Sequence, residues 1–246
     1  MSLLSPNHTV VMRVVAIIPA AGEGRRMGTE VEKQFLYLRG VPILAHTLKV
    51  FERSPEVDSI VLVVAGQQRQ ALDEKVLGPY PCDKILRIVD GGRERQESVA
   101  RGLEAVPPEC EMVVVHDAVR PLLSSELLAS VLKSAQSHGA ALAAVPVRDT
   151  VKRGRDGIVA GTLDRETIWL AQTPQVFQTS LLRRAYEEAA RANITVTDDA
   201  ALVERLGVPV HLVPGSPDNI KVTTPSDLVI AEALLAQREV VRNEEY

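Results

Sequence analysis

Five short runs of apolar and β-branched residues recur along the chain: Val14 to Ile18, Ile60 to Ala65, Ile85 to Val89, Met112 to Val115 and Ala140 to Val147. They are largely continuous rather than alternating with polar residues, so each predicts a strand covered on both faces. Helical stripes stand between them. Ile43, Leu44, Thr47, Leu48 and Phe51 fall on one face of a helix, as do Leu127, Leu128, Val131, Leu132 and Ala135. Strand-helix alternation predicts an α/β fold with a mostly parallel, twisted sheet and helices on both faces. Ligands of such sheets bind beyond the carboxyl ends of the strands, which directs attention to the loops that follow them.

The rhythm breaks after Pro146. Residues from about 148 to 171 are rich in charge and Thr, and Asp156-Gly157 lies between Val151-Lys152 and Ile158-Val159, a hairpin signal that predicts a protruding β-arm. Helical periodicity returns at Thr179 to Ala192 and near the end, where Thr224-Pro225-Ser226-Asp227 supplies a cap, a first-turn Pro and an acid three residues on. A single domain over residues 13–241 is expected, with a flexible leader at 1–12 and a flexible tail at 242–246.

Charge and cysteine content exclude several classes. With 28 Lys and Arg against 32 Asp and Glu in 246 residues, the formal net charge is −4. Bulk charge therefore offers no footprint for nucleic acid or an anionic membrane, and any cationic site must be local. Cys82 and Cys110 alone make neither a disulfide framework nor a paired-cysteine zinc site. No apolar run approaches the roughly 18 residues of a membrane span. The first dozen residues carry no Lys or Arg and no long apolar region, hence no secretory or transit signature. The expected compartment is the cytoplasm.

The first strand runs into Pro19-Ala20-Ala21-Gly22-Glu23-Gly24-Arg25-Arg26-Met27-Gly28. Small residues there let backbone N–H groups approach an anion. The loop is not a dinucleotide fingerprint, because Met27 stands where the third glycine is required, and no Walker-type Gly-Lys-Ser/Thr follows. Two adjacent arginines, with Lys33 beyond, suit a triphosphate better than a diphosphate.

These residues, with Lys33-Gln34-Phe35, resemble the signature of 2-C-methyl-D-erythritol 4-phosphate cytidylyltransferases. The likeness continues in order through Asp90-Gly91-Gly92, Arg95 with Ser98, His116-Asp117-Ala118-Val119-Arg120-Pro121, Pro146-Val147-Arg148-Asp149-Thr150-Val151-Lys152 and Asp164-Arg165. It ends with Gln172-Thr173-Pro174-Gln175, Thr197-Asp198 and Asp218-Asn219-Ile220-Lys221-Val222. The resemblance implies a Rossmann-like nucleotidyltransferase fold and transfer of a cytidylyl group from CTP to methylerythritol phosphate, with Mg²⁺ as cofactor, in non-mevalonate isoprenoid biosynthesis.

Such a reaction brings like charges together; two unit charges about 4 Å apart cost roughly 4 kcal/mol at an effective dielectric near 20, and fixed cations must offset this. By resemblance, Arg26 and Lys33 are the catalytic cations on the triphosphate. Gly22, Gly24 and Arg25 belong to the nucleotide loop, and Ala20, Ala21, Gly92 and Ser98 to the cytosine site. Asp117 is expected to contact both substrates and to orient Mg²⁺ or its waters, the alternative being a loop cap. Arg120, Thr150, Arg165, Thr173, Thr197 and Lys221 are the expected partners of the polyol phosphate. Arg165 and Thr150 lie in the arm, which by resemblance reaches across a homodimer; the alternative for Arg165 is a solvated hairpin charge. His116 reads as a packing residue at a strand end rather than a metal ligand. A ribitol 5-phosphate cytidylyltransferase, a sugar-nucleotide pyrophosphorylase, a non-catalytic CTP-binding regulator and a plain Rossmann dehydrogenase are the alternatives.

Overall fold

The computed structural model describes residues 13–22 and 32–244, with side chains through residue 240. The expected leader at 1–12 and three predicted site residues, Gly24, Arg25 and Arg26, lie outside the described residues.

Every predicted strand forms. The main sheet comprises β1 (Val14–Pro19), β4 (Ser59–Val64), β5 (Ile85–Asp90), β6 (Met112–Val115), β7 (Ala140–Pro146), β10 (Trp169–Gln178) and β11 (His211–Pro214). Two pairs of short strands stand apart: β2 (Tyr37–Leu38) with β3 (Val41–Pro42), and β8 (Lys152–Arg155) with β9 (Ile158–Thr162). The sheet order is β11-β7-β10-β6-β1-β4-β5. All neighbours pair in parallel except β10, which runs antiparallel between β6 and β7. From β1 the chain builds outward through β4 and β5, then returns to the opposite side of β1 to lay down β6. The topological switch point therefore lies between β1 and β6.

Alternate residues of β1 supply two cores. Val14, Ala16 and Ile18 face α1 (Ile43–Arg53) and α4 (Ser125–His138), while Val15 and Ile17 face α3 (Arg95–Glu104), α5 (Thr179–Arg191) and α6 (Ala200–Arg205). All ten residues of the two predicted stripes are buried, in α1 and α4. Gly102 lets α3 lie close on the sheet, since a Cβ there would stand 2.6 Å from Ile17 Cγ2. A third cluster joins Val119 and Leu122, beyond β6, to Val222 and Ala231 of the C-terminal segment.

That segment ends in α7 (Pro225–Glu244), which follows a short α2 (Arg69–Leu72) and the other helices in chain order. Its start is the predicted capping box: Asp227 N donates to Thr224 Oγ1 at 3.3 Å, and Thr224 N donates to Asp227 Oδ2 at 2.8 Å. The helix runs on through Glu244, into the expected tail at 242–246. The physical reason is that Val241-Arg242-Asn243-Glu244 contains neither Gly nor Pro to stop it.

The Asp156-Gly157 turn forms as predicted. Both residues have positive φ, 52° and 77°, as a type I′ hairpin requires. The arm's return leg passes through a helical turn at Arg165–Thr167 and joins the main sheet at Trp169, opposite Pro146. Among the described residues no helix is long and apolar enough to cross a membrane.

Candidate active site

A cavity of about 660 Å³ opens at the switch point, lined by residues that follow β1, β4, β5 and β6. Its charged lining is Lys33, Arg93, Arg95, Arg101 and Lys221 against Glu94 and Asp117. A chain of net charge −4 thus gathers local positive charge where the fold class binds ligands.

One wall is made by two backbone loops in contact. Ala20 N donates to Val63 O at 2.6 Å and Gly91 N to Val64 O at 2.8 Å, which anchors both loops to β4. A Cβ on Gly91 would stand 2.2 Å from the Ala21 methyl, and one on Gly92 2.2 Å from Glu97 Cβ. Neither glycine has positive φ, so close approach rather than backbone freedom demands them. Ser98 Oγ, on the first turn of α3, accepts from Gly92 N at 3.1 Å, while its hydroxyl donates to Glu94 O at 3.1 Å. Arg101 Nη1 donates to Gly91 O at 2.7 Å. Sequence-predicted Ala20, Ala21, Gly22, Gly92 and Ser98 all line this wall.

The opposite wall is a buried charge cluster centred on Asp117, just past β6. Asp117 Oδ1 accepts from Arg95 Nε at 3.2 Å; Oδ2 meets Arg120 Nε at 3.2 Å and Lys221 Nζ at 3.0 Å. Burial opposes ionisation of Asp117, but Lys221, Arg95 and Arg120 outweigh it and hold the carboxyl well below the usual carboxylate range. Lys221 is brought in by the backbone bond from Val222 N to Val119 O, 2.9 Å, and by the α7 cap that follows. Lys33, on the helical turn Lys33–Phe35, faces the same cavity.

Behind Asp117 runs a chain of polar contacts. Asp117 N donates to Thr173 Oγ1 at 3.0 Å, and Thr173 Oγ1 lies 3.0 Å from His116 Nδ1. His116 Nε2 is 3.2 Å from Arg120 O, a carbonyl that can only accept, so Nε2 carries the proton and Thr173 donates to Nδ1. Burial lowers the His116 pKa from 6.5 to about 4, which keeps the ring neutral and this direction intact. Arg120 Nη1 donates to Asn219 O at 2.7 Å, and Asn219 Nδ2 to Thr173 O at 2.8 Å.

Sequence-predicted Arg120 and Thr173 are thus buried supports of Asp117 outside the cavity lining. Thr150, Arg165 and Thr197 are exposed and outside that lining as well; Arg165 Nη1 donates to Arg148 O at 3.0 Å. Sequence reasoning gave no site role to Arg95, which also pairs with buried Asp199 at 2.8 Å, or to Asn219. Both stand inside motifs quoted above, and that was their only signal. His116 is the buried strand-end residue that was expected, with the added task of orienting Thr173.

As a metal ligand, Asp117 fits poorly: both its oxygens already accept from cations, and three positive charges surround it. Among the described residues no group of three His, Cys, Asp or Glu side chains gathers to hold a metal ion. A hard dication with few protein carboxylates takes phosphate oxygens instead.

The family model described as IspD, 2-C-methyl-D-erythritol 4-phosphate cytidylyltransferase, matches residues 14–237. A protein of that name from Syntrophus aciditrophicus is 49% identical over 228 residues, covering 92% of this chain and 97% of that protein. One from Desulforamulus reducens is 48% identical over 226 residues, covering 92% and 97%. Among solved structures, the 2-C-methyl-D-erythritol 4-phosphate cytidylyltransferase of Thermus thermophilus superposes with a TM-score of 0.76 at 37% identity, covering 92% of this chain and 100% of that one. The 4-diphosphocytidyl-2C-methyl-D-erythritol synthase of Anaerococcus prevotii does so at 0.80 and 33% identity, covering 92% and 99%.

Proposed function

The chain belongs to the 2-C-methyl-D-erythritol 4-phosphate cytidylyltransferase family, and from that membership we propose how it transfers a cytidylyl group from CTP to 2-C-methyl-D-erythritol 4-phosphate with release of pyrophosphate. Cytosine lies against the wall made by Ala20, Ala21, Gly92 and Ser98. Its amine and carbonyl meet backbone groups there, and a wrong base leaves such groups unpaired, the steepest kind of selection. The triphosphate lies toward Lys33 and Gly22.

No general base is required. The attacking phosphate is already ionised near neutral pH, so the side chains have only to position two anions and offset their repulsion. Lys33 takes the charge building on the α-phosphate, a task that Arg26 shares and Arg25 assists by resemblance to the family. Lys221 receives the phosphate of the second substrate, held in place by Asp117, which Arg120, Thr173 and Arg95 hold in turn. When bound with the triphosphate, Mg²⁺ would supply charge neutralisation there; Asp117, already paired with Arg95, Arg120 and Lys221, would not hold it.

Thr150, Arg165 and Thr197 serve the polyol phosphate in an assembled enzyme. In that reading the exposed arm of one subunit reaches the pocket of another in a homodimer. Ile158 and Val159, 73% and 62% exposed, are the apolar arm residues such a contact would cover. The compartment is the cytoplasm, where Cys82 and Cys110 stay free thiols.

The observation that carries the reading is the excess of cations over acids in the switch-point cavity. Pyrophosphate formation from each nucleoside triphosphate, crossed with methylerythritol phosphate and ribitol 5-phosphate, tests it. Release is expected only from CTP with methylerythritol phosphate. Preference for the ribitol ester, or CTP binding with no release from any acceptor, would replace this function with one of the alternatives.

A further inference from the structure

Between β4 and α2 the chain makes one helical turn, Gly66–Gln68, whose last side chain points inward. Gln68 is 2% exposed, although Gly66 and Gln67 of the same turn line the cavity. Its amide meets two residues of a distant segment: Gln34 Nε2 donates to Gln68 Oε1 at 3.1 Å, and Gln68 Nε2 donates to Glu32 Oε1 at 3.4 Å. Glu32 and Gln34 are the two chain neighbours of Lys33.

The direction of both bonds follows from chemistry. An ionised carboxylate can only accept, so Glu32 requires the NH₂ of Gln68, which turns its carbonyl to Gln34, which in turn must present its own NH₂. One side-chain amide thereby brackets Lys33 from both sides. The turn is fastened at its other end too. Arg69, the next residue, donates through Nη2 to Ile88 O at 3.0 Å and to Asp90 Oδ1 at 3.1 Å, at the carboxyl end of β5 and beside the Gly91-Gly92 wall.

We infer that Gln68 is a positioning residue for CTP binding: its amide sets the height of Lys33 over the cavity relative to the base-binding wall, through Glu32 and Gln34. This rests on the proposed role of Lys33 at the triphosphate. Gln68 itself touches neither substrate. A turn fixed in advance has less backbone freedom to lose when Lys33 meets the phosphates.

The test is a double-mutant cycle on CTP affinity, read by titration calorimetry so that it survives loss of turnover. Gln68→Leu is expected to weaken CTP binding about tenfold and to leave KM for methylerythritol phosphate within about twofold. On a Lys33→Ala background the same change is expected to add less than about twofold, because the group being positioned is gone. Should Gln68→Leu fold poorly for leaving the Gln34 amide buried and unpaired, Gln68→Glu keeps an acceptor for Gln34 but sets a second carboxylate against Glu32, with the same expectations. An equal fall in CTP affinity on both backgrounds, or unchanged affinity in either Gln68 variant, would overturn the role. If Lys33→Ala itself binds CTP normally, the reading of Lys33 falls, and the role of Gln68 with it.

Discussion

The switch-point cavity and the β-arm solve opposite problems. At the cavity, charge is buried: Asp117 is 6% exposed and holds three cations, and the backbone around it is tied by His116, Thr173 and Asn219. In the arm, charge is solvated. Every residue of β8 is exposed, Arg155 pairs with Asp156 at 3.7 Å in full solvent, and the turn geometry of two residues holds the hairpin. The cavity is specified by many mutually dependent contacts, so one change propagates. The arm is specified locally, so changes there should stay local and act on function through whatever the arm reaches.

Removing the centre of the charge cluster gives the largest expected effect. Asp117→Ala takes their shared carboxylate from Arg120 and Lys221 and leaves Arg95 with Asp199, and should cost about 3 to 5 kcal/mol of stability together with nearly all turnover; thermal melting and pyrophosphate release would show both. A variant that melted normally would mean the cluster is looser than its geometry. Acid probes the same region without mutation. The His116 pKa is lowered to about 4 from 6.5, so the unfolded chain binds its proton first as pH falls, and stability drops through that window. The loss amounts to roughly 3 kcal/mol at about 1.4 kcal/mol per pH unit. Asp117, also depressed, adds a further loss below the ordinary carboxylate range. Urea titrations between pH 4 and 7 should show this slope, and His116→Asn should flatten it above pH 4.

Lys33→Ala separates chemistry from folding within the cavity: turnover should fall at least about a hundredfold, near 2.7 kcal/mol, with melting unchanged. In the arm, Arg165→Ala should lower turnover roughly tenfold with no change in melting, if it serves a second subunit's pocket. Mixing it with Lys33→Ala should then restore about a quarter of normal activity, since half of the dimers would be mixed and each would hold one intact site. Failure of the mixture to recover would confine the arm to its own chain. The smallest effect belongs to Gly157→Ala, whose φ of 77° strains any residue with a Cβ. About 1 kcal/mol is expected, confined to the hairpin; faster proteolysis at the turn with unchanged global melting would check it.

The cavity and the arm also differ in how far they could be read in advance. The arm was legible because Asp156-Gly157 commits the backbone by local sterics. The strands and the stripes of α1 and α4 were legible because burial imposes a period on the residues themselves. The antiparallel entry of β10 between β6 and β7 was not, although Val176 and Phe177 are fully buried in it. Its neighbours lie far away in sequence, and nothing local states which strands they are. Asp117 was expected to be a site residue from its motif, and where a metal was expected beside it three cations stand instead, contributed from α3, from the loop after β6 and from the segment before α7. Thr173 and Arg120, expected at the substrate, support that carboxylate from behind.

By itself, then, the order of residues determined the element types, the turn at the arm's tip, the strand-end loops that line the cavity and the family to which their motifs point. Each of these depends on backbone sterics, on side-chain period or on a motif carried within one loop. Tertiary structure alone decided which charges share Asp117, which glycine touches Ala21 and which amide brackets Lys33. Those contacts join segments tens of residues apart, and Coulomb and packing energies depend on distances that only the folded chain sets.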